Sequence, residues 1–147
     1  MDTSRSNSSS DSYNLERFVI AQDSIYRRVL SELQAGTKMG HWMWFIFPQV
    51  RGLGRSPTSI EYAISSRDEA QAYLQHPVLG PRLKECTQLV LNVNGRSATN
   101  IFGTPDDIKF RSSMTLFAQV SRDDDIFHRA LQKYFEGGPD RLTLDCL

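Results

Sequence analysis

The sequence predicts a mainly α-helical protein, a compact single-domain bundle of about five to six helices. Apolar residues recur at helical spacing through most of the chain, cap signals separate the helical stretches, and alternating apolar–polar segments are few. With 147 residues, 39% of them apolar and 23% charged, the chain is long enough to bury a core without disulfides or metals. We expect this domain over residues 13–147, after a disordered, serine-rich tail over residues 1–12.

Each predicted helix has its own boundary signals. The first carries one apolar stripe and ends at Gly36, the second follows a Ser66 cap, and the last follows a cap at Asp123 or Asp124. The predicted helices span about residues 13–36, 66–75, 81–93, 104–120 and 124–135. Residues 42–47 do not fit this pattern, because their unbroken apolar run is typical of either a buried strand or a buried helical turn.

Composition and charge exclude several classes of function. Seventeen basic residues balance seventeen acidic ones, so no global charge favours nucleic acid, and RNA binding is only a third, weaker option. No apolar run approaches the roughly 20 residues of a membrane span, and the N-terminus lacks the apolar stretch of a signal peptide, so we expect a cytoplasmic protein. Two cysteines fit a reducing compartment, no histidine pair has ligand spacing, and we expect neither a metal nor a cofactor.

The stretch of residues 36–60 has the composition of a ligand site. It holds Lys38, two arginines, four glycines and both tryptophans of the chain, but no acidic residue. Arginine pairs with phosphate, aromatic faces stack on planar rings, and glycine lets backbone N–H groups approach an anion. The ligand-binding candidates in this stretch are Trp42, Trp44, Gln49, Arg51, Gly52, Gly54 and Arg55. The alternative is that the aromatic residues belong to the core and the glycine-rich segment is an exposed loop.

A helix face further along the chain is the predicted opposite wall of this ligand site. Helical spacing places Lys109, Ser112 and Ser113 side by side, with an ammonium and two hydroxyls next to apolar residues. The alternative is that the serines only allow close helix packing. We expect these side chains, both indoles and the basic bend to open onto solvent as a single concavity.

Two residues are candidates for catalysis. Glu61 is the first acid after the basic stretch, and a carboxylate there suits a general base or a stabiliser of an oxocarbenium-like transition state. His41 is the second, because histidine is a common general acid or base. The alternatives are a solvated glutamate on a first helical turn and a structural histidine.

Three motifs resemble an uncharacterised family, the domain-of-unknown-function family eighteen-ten. They are Gly40-His-Trp-Met-Trp-Phe-Ile-Phe-Pro-Gln49 with the following Gly-Leu-Gly, Ile101-Phe-Gly-x-Pro-Asp-Asp107, and Lys109-x-x-Ser-Ser-Met-Thr-Leu-Phe117. The resemblance covers roughly residues 15–147 and implies a compact, mainly helical domain with no established activity. Members often carry the label calpastatin, but calpastatin inhibitors are disordered chains, whereas this sequence predicts a core.

A weaker and distant similarity concerns Pro57-Thr-Ser-Ile-Glu-Tyr62, which resembles a segment of the NADAR family. That family is tied to NAD and ADP-ribose chemistry and cleaves N-glycosidic bonds. The resemblance implies that Glu61 belongs to the site.

These observations lead to a hypothesis and a rival. The hypothesis is a cytosolic domain with a basic, aromatic pocket for a phosphorylated, nucleotide-like small molecule, whose enzymatic version is N-glycoside hydrolysis. The rival is a non-catalytic protein-interaction module, whose basic loop meets an acidic partner protein.

Overall fold

Ten helices occur in the part of the chain that the structure, a computed structural model, describes, namely residues 11–122 and 125–147. In chain order they are α1 (Glu16–Asp23), α2 (Tyr26–Gln34), α3 (Met43–Ile46), α4 (Pro57–Glu61), α5 (Arg67–Gln75), α6 (Leu79–Leu91), α7 (Ala98–Phe102), α8 (Asp106–Ala118), α9 (Ile126–Phe135) and α10 (Arg141–Asp145). Within these ranges there is no strand, and a single parallel bridge pairs Val50 with Ile64.

The mainly helical fold is confirmed, but the predicted number of about five to six helices is too low. Four of the ten, α3, α4, α7 and α10, have only four or five residues, which is too short for apolar periodicity to detect. In addition, the predicted helix over residues 13–36 is two helices, because Ile25 leaves helical geometry with φ −124° and ψ 0°. The break lets α1 pack against α3 while α2 packs against α6.

Residues 42–47 form a helical turn, so the question that periodicity left open is answered in favour of helix. The backbone N–H groups of Ile46 and Phe47 donate to carbonyls four residues earlier, at 3.2 and 3.0 Å. The Gln22 amide donates to the Phe45 carbonyl at 2.7 Å, so this buried turn keeps its polar backbone satisfied.

Helix α8 lies at the centre of the fold. Helices α5, α7, α9 and α10 pack around it, and most of its residues are buried. Its Phe110 ring stacks on Phe102 at a centroid distance of 4.6 Å and meets the edge of Phe47 at 5.0 Å. Because the helix is fixed on several sides, the polar side chains of its first two turns are held in place by the core.

Some predicted features lie outside the described residues. These are the serine-rich tail, apart from Asp11 and Ser12, and the predicted caps Asp123 and Asp124. In the described part, Asp125 caps α9 by accepting hydrogen bonds from two backbone N–H groups of the first turn, at 2.9 and 3.1 Å.

The two thiols are expected to react at very different rates. Cys86 is buried, and burial raises the pKa of its thiol to about 12, whereas Cys146 is exposed. At pH 8 the thiolate fraction of Cys86 is then on the order of 10³-fold below that of an ordinary cysteine. Iodoacetamide followed by mass spectrometry should therefore find one fast site, lost in Cys146→Ser. Equal rates for both thiols in the native protein would contradict this packing.

Candidate functional site

The bend that leads into α3 is held by a carboxylate from the preceding helix. Glu32 Oε1 accepts hydrogen bonds from the backbone N–H groups of Met39 (2.7 Å) and Gly40 (2.9 Å) and from Trp42 Nε1 (2.9 Å). Partial burial alone would raise the pKa of Glu32, but these donors and the Lys38 ammonium outweigh it and hold the pKa below its usual range. A carboxylate from outside the acid-free stretch therefore holds its first residues in place.

The two indoles have different environments. Trp42 is 2% exposed, its N–H is bound to Glu32, and the Lys38 ammonium lies 5.1 Å from its ring centroid. Trp44 is half-buried, with the Lys109 ammonium 5.1 Å from its ring centroid. Trp42 thus belongs to the core, and Trp44 is the indole that retains solvent access.

The two lysines share one carboxylate. Lys38 Nζ lies 2.8 Å from Asp106 Oδ2, and Lys109 Nζ lies 3.5 Å from Asp106 Oδ1. The Lys38 side chain is 7% exposed and also donates to the Gly40 carbonyl, so its charge is used within the fold. Lys109 is more open, with a side chain that is 24% exposed.

The two serines of α8 are both buried, but in different settings. Ser112 Oγ lies 3.0 Å from Asp140 Oδ2 and 3.1 Å from the Ile108 carbonyl oxygen, so it fixes the residue that caps α10. Ser113 is fully buried, and its hydroxyl has no hydrogen-bond partner among the described residues. Ser112 therefore joins two helices, and Ser113 is the serine whose polar group remains unused.

The glycine-rich loop has packing reasons for its glycines. Gly52 has φ +106°, and a side chain on it would approach Cys146 Sγ to 3.3 Å. A Cβ at Gly54 would come within 2.5 Å of Ser59 Cβ. Arg51 and Arg55 are exposed, and neither forms an ion pair with a described side chain.

A groove of about 520 Å³ lies around the start of α1 and the end of α4. Its lining residues are Ser12, Tyr13, Asn14, Arg17, Arg51, Ile60, Glu61, Ala63, Ser65 and Glu69. Two backbone hydrogen bonds bring the two sides together, from Arg51 N to the Ile64 carbonyl (2.8 Å) and from Ile64 N to the Gln49 carbonyl (2.9 Å). We call this cavity the Arg51–Glu61 groove.

The charges of the Arg51–Glu61 groove divide into a paired and an unpaired set. Arg17 and Glu69 form an ion pair at 3.1 Å, and the Glu69 carboxylate also accepts from the Ser65 N–H (2.8 Å) and hydroxyl (2.7 Å). Arg51 and Glu61 are exposed and have no ion-pair partner among the described residues. The groove thus offers solvent one cation without a partner and one carboxylate, Glu61, whose described side-chain partner is the neutral Tyr62 hydroxyl.

The single concavity expected from the sequence is divided between two places. Arg51 and Glu61 line the groove, while Trp44 and Lys109 meet elsewhere, and Trp42 is enclosed by the core. His41 is exposed, with no hydrogen bond to a described residue, and lines no part of the groove. The other candidates that do not line it are Gln49, Gly52, Gly54, Arg55, Ser112 and Ser113.

Sequence reasoning missed the polar residues that organise both places: Arg17, Glu32, Glu69 and Asp106. Glu69 lies in the first turn of α5, where Ser66 Oγ accepts a hydrogen bond from its backbone N–H at 3.2 Å. Its nearly full burial has no signal in the local pattern, because the ion partner lies 52 residues away.

The described residues also set limits on other kinds of site. Within the described residues, 11–122 and 125–147, no group of three or more His, Cys, Asp or Glu side chains could hold a metal ion. Over the same residues, no helix has the length and apolar character to cross a membrane.

Comparisons with known proteins agree with the family resemblance. A family model described as "Protein of unknown function (DUF1810)" matches residues 12–147. A crystal structure of the conserved hypothetical protein Rv1873 from Mycobacterium tuberculosis is 58% identical, with a TM-score of 0.92, and the match covers 93% of this chain and 98% of that one. The comparison with curated proteins found no match.

Proposed function

The chain belongs to the DUF1810 family, whose description states no activity, and from the geometry we propose that it binds a small phosphorylated, nucleotide-like ligand in the Arg51–Glu61 groove. The observation that carries the proposal is that a guanidinium and a carboxylate, neither with an ion-pair partner among the described residues, line the same open groove. The N-glycosidase hypothesis is the enzymatic version of this proposal.

The phosphate end of the ligand is assigned to Arg51. Its guanidinium is exposed and free of described carboxylates, and such a group pairs with phosphate through two parallel hydrogen bonds. The second arginine of the groove, Arg17, is already committed to Glu69 and to backbone carbonyls. Arg51 is therefore the cation available to a ligand.

The chemistry is assigned to Glu61. In hydrolysis, the C–N bond to the sugar breaks, a water oxygen bonds to the anomeric carbon, and the departing base takes up a proton. An exposed carboxylate stabilises the ribosyl cation that develops or accepts the proton of the attacking water. Because Glu69 is already neutralised by Arg17, Glu61 carries the charge for this role. The similarity to the NADAR segment predicts the same residue.

The aromatic residue at the proposed site is not one of the two tryptophans that the sequence hypothesis placed there. Neither Trp42 nor Trp44 lines the groove, whereas the half-buried Tyr13 does. A planar base would stack on the Tyr13 ring.

The proposal is tested by ligand binding and by product release. A thermal-shift panel of nucleoside mono- and diphosphates, NAD and ADP-ribose should raise the melting temperature of the protein. Arg51→Gln should weaken binding about tenfold or more, and Glu61→Gln should slow release of the free base, measured by chromatography, by about 10²-fold. Arg67→Gln and Asp68→Asn remove exposed charges outside the groove and should change neither value.

The outcomes separate binding from catalysis. Binding without base release, or release that Glu61→Gln leaves unchanged, would overturn the enzymatic version and retain the ligand site. A panel without any shift would overturn the small-ligand proposal and favour the protein-interaction module.

A further inference from the structure

Three residues that suit ligand recognition are brought together in the Arg51–Glu61 groove. The Arg17 guanidinium donates to the backbone carbonyls of Tyr13 at 2.7 Å and of Glu61 at 2.8 Å, so these two residues are joined through a single side chain. The backbone N–H of Arg51 donates at 2.8 Å to the carbonyl of Ile64, which follows Glu61 by three residues. Residues bearing an aromatic ring, a carboxylate and a guanidinium therefore line one cavity of about 520 Å³, a volume typical of small-molecule sites.

The two charges of the groove that the fold does not use have opposite signs. Arg17 and Glu69 neutralise each other at 3.1 Å. The Arg51 guanidinium and the Glu61 carboxylate remain for a ligand. A ligand whose only charge is negative satisfies Arg51 but is repelled by Glu61. The complementary ligand therefore carries a positive group as well as a negative one.

The side-chain partner of Glu61 leaves its charge uncompensated. That partner is the Tyr62 hydroxyl, whose pKa is raised by burial and by the adjacent carboxylate, so it stays neutral. The Tyr62 ring is fixed between Phe18 and Phe45, at centroid distances of 5.7 and 5.4 Å. The hydroxyl thus orients the carboxylate without cancelling its negative charge.

The positive group of the ligand is assigned to a planar ring. The face of a tyrosine ring attracts a cation more strongly than a neutral group, and the half-buried Tyr13 lines the groove. Because Tyr13 and Glu61 are bound to the same guanidinium, a ring stacked on Tyr13 brings its charge towards the Glu61 side of the groove. A phosphate on the same ligand is left for Arg51.

We propose that the Arg51–Glu61 groove selects ribonucleotides whose base carries a positive charge, such as N-ribosyl pyridinium or N-alkylated purine nucleotides. This inference rests on the function proposed above and names the class of ligand that the groove takes.

The same class agrees with the proton donors of the groove. A neutral base takes up a proton as it leaves the sugar, whereas a cationic base leaves as a neutral molecule, because both electrons of the C–N bond pass to the ring nitrogen and cancel its charge. The residues that line the groove include neither histidine nor cysteine, and Glu69 is held as the partner of Arg17. Water bonds to the anomeric carbon, and its proton passes to the Glu61 carboxylate and on to solvent. This hydrolysis needs the base that the groove has and no general acid.

The test compares two pairs of probes that differ mainly in the charge of the ring, by calorimetry on the full chain at constant ionic strength. Nicotinamide mononucleotide, a cation at its ring, is paired with its reduced, neutral form in neutral buffer. In mildly acidic buffer, 7-methylguanosine monophosphate is paired with guanosine monophosphate. We expect each cationic member to bind about tenfold or more tightly than its neutral partner. Chromatography should find any released base with the cationic members alone.

Two variants assign this preference to its residues. Glu61→Gln keeps the shape of the side chain without its charge and should reduce the preference to about twofold or less. Arg51→Gln should weaken all four probes by a similar factor of about ten. Asp68→Asn removes an exposed carboxylate outside the groove and should leave the preference unchanged. Circular dichroism checks that each variant is folded.

The outcomes distinguish this inference from the function on which it rests. Equal dissociation constants within both pairs, or a preference that survives Glu61→Gln, would overturn the inference. If Arg51→Gln still weakened binding in that case, the nucleotide site would stand without its selectivity for a cationic base. Failure of all four probes to bind would overturn the proposed function and the inference with it.

Discussion

Replacing Arg17 with methionine is expected to lower the free energy of unfolding by about 3–5 kcal/mol, the largest effect of any substitution considered for this protein. The Arg17 guanidinium donates to the carbonyls of Tyr13 (2.7 Å), Asn14 (2.9 Å), Glu61 (2.8 Å) and Ala63 (2.9 Å). It thereby joins the start of α1 to the segment that follows α4.

Most of this expected loss in the free energy of unfolding arises from the Glu69 carboxylate, which remains buried after Arg17 is replaced. Glu69 has a side chain that is 3% exposed, and Arg17 is its only ion partner among the described residues. A buried carboxylate without its cation is strongly destabilised. The Arg17 guanidinium also lies over the Phe18 ring, 4.4 Å from its centroid, so methionine keeps an unbranched apolar stem but removes this cation–π contact together with the charge and the hydrogen bonds.

Urea unfolding of a double-mutant cycle measures this coupling. Arg17→Met, Glu69→Gln and their combination should give a coupling energy of about 1–3 kcal/mol, because the neutral amide no longer needs the cation. Arg67→Met, on an exposed site nearby, should change stability by less than about 0.5 kcal/mol. Additive single effects would show that Glu69 does not depend on Arg17.

The longer helices were predictable because their signals are local. Ser66 caps α5 as predicted, with its hydroxyl accepting from the N–H three residues later. Gly36 adopts φ +76° after α2, as expected for a left-handed cap. Such signals depend on neighbours within one or two turns, so one sequence is sufficient to identify them.

The candidate sites were less predictable, because charged residues that are distant in the sequence lie next to them in the fold. Residues 36–60 contain no acid, which predicted a positive field, but Glu32 and Asp106 approach this stretch from two other helices. Likewise, nothing in the local pattern indicates the bridge between Val50 and Ile64, which brings Arg51 into the same groove as Glu61.

The sequence could not distinguish the two indoles for a related reason. Trp42 precedes a helix of four residues, and Trp44 lies within it, so no periodic stripe distinguishes the buried ring from the half-exposed one. Tertiary contacts distinguish the two rings. The Glu32 carboxylate accepts a hydrogen bond from Trp42 Nε1, while the Lys109 ammonium lies over the Trp44 ring.

Glu32 is the residue for which we expect the second largest effect, and this effect should depend on pH. Glu32→Ala removes the acceptor of three hydrogen bonds and should cost about 2–3 kcal/mol near pH 7. Glu32→Gln retains an acceptor oxygen without the charge and should cost about 1–2 kcal/mol. Glu16→Gln, an exposed site, serves as the control and should change stability by less than about 0.5 kcal/mol.

The sign of the pH dependence follows from the direction of the pKa shift. Since the pKa of Glu32 is lower in the folded protein than in the unfolded chain, the unfolded chain binds its proton first as the pH falls. The stabilisation is therefore complete above the ordinary glutamate pKa of about 4.3 and is lost as the pH drops through the folded-state value. In urea unfolding, the difference between wild type and Glu32→Gln should be constant from about pH 7 to 5.5 and shrink below about pH 4.3. A difference that grows on acidification would mean that the bend is not held by a charged Glu32.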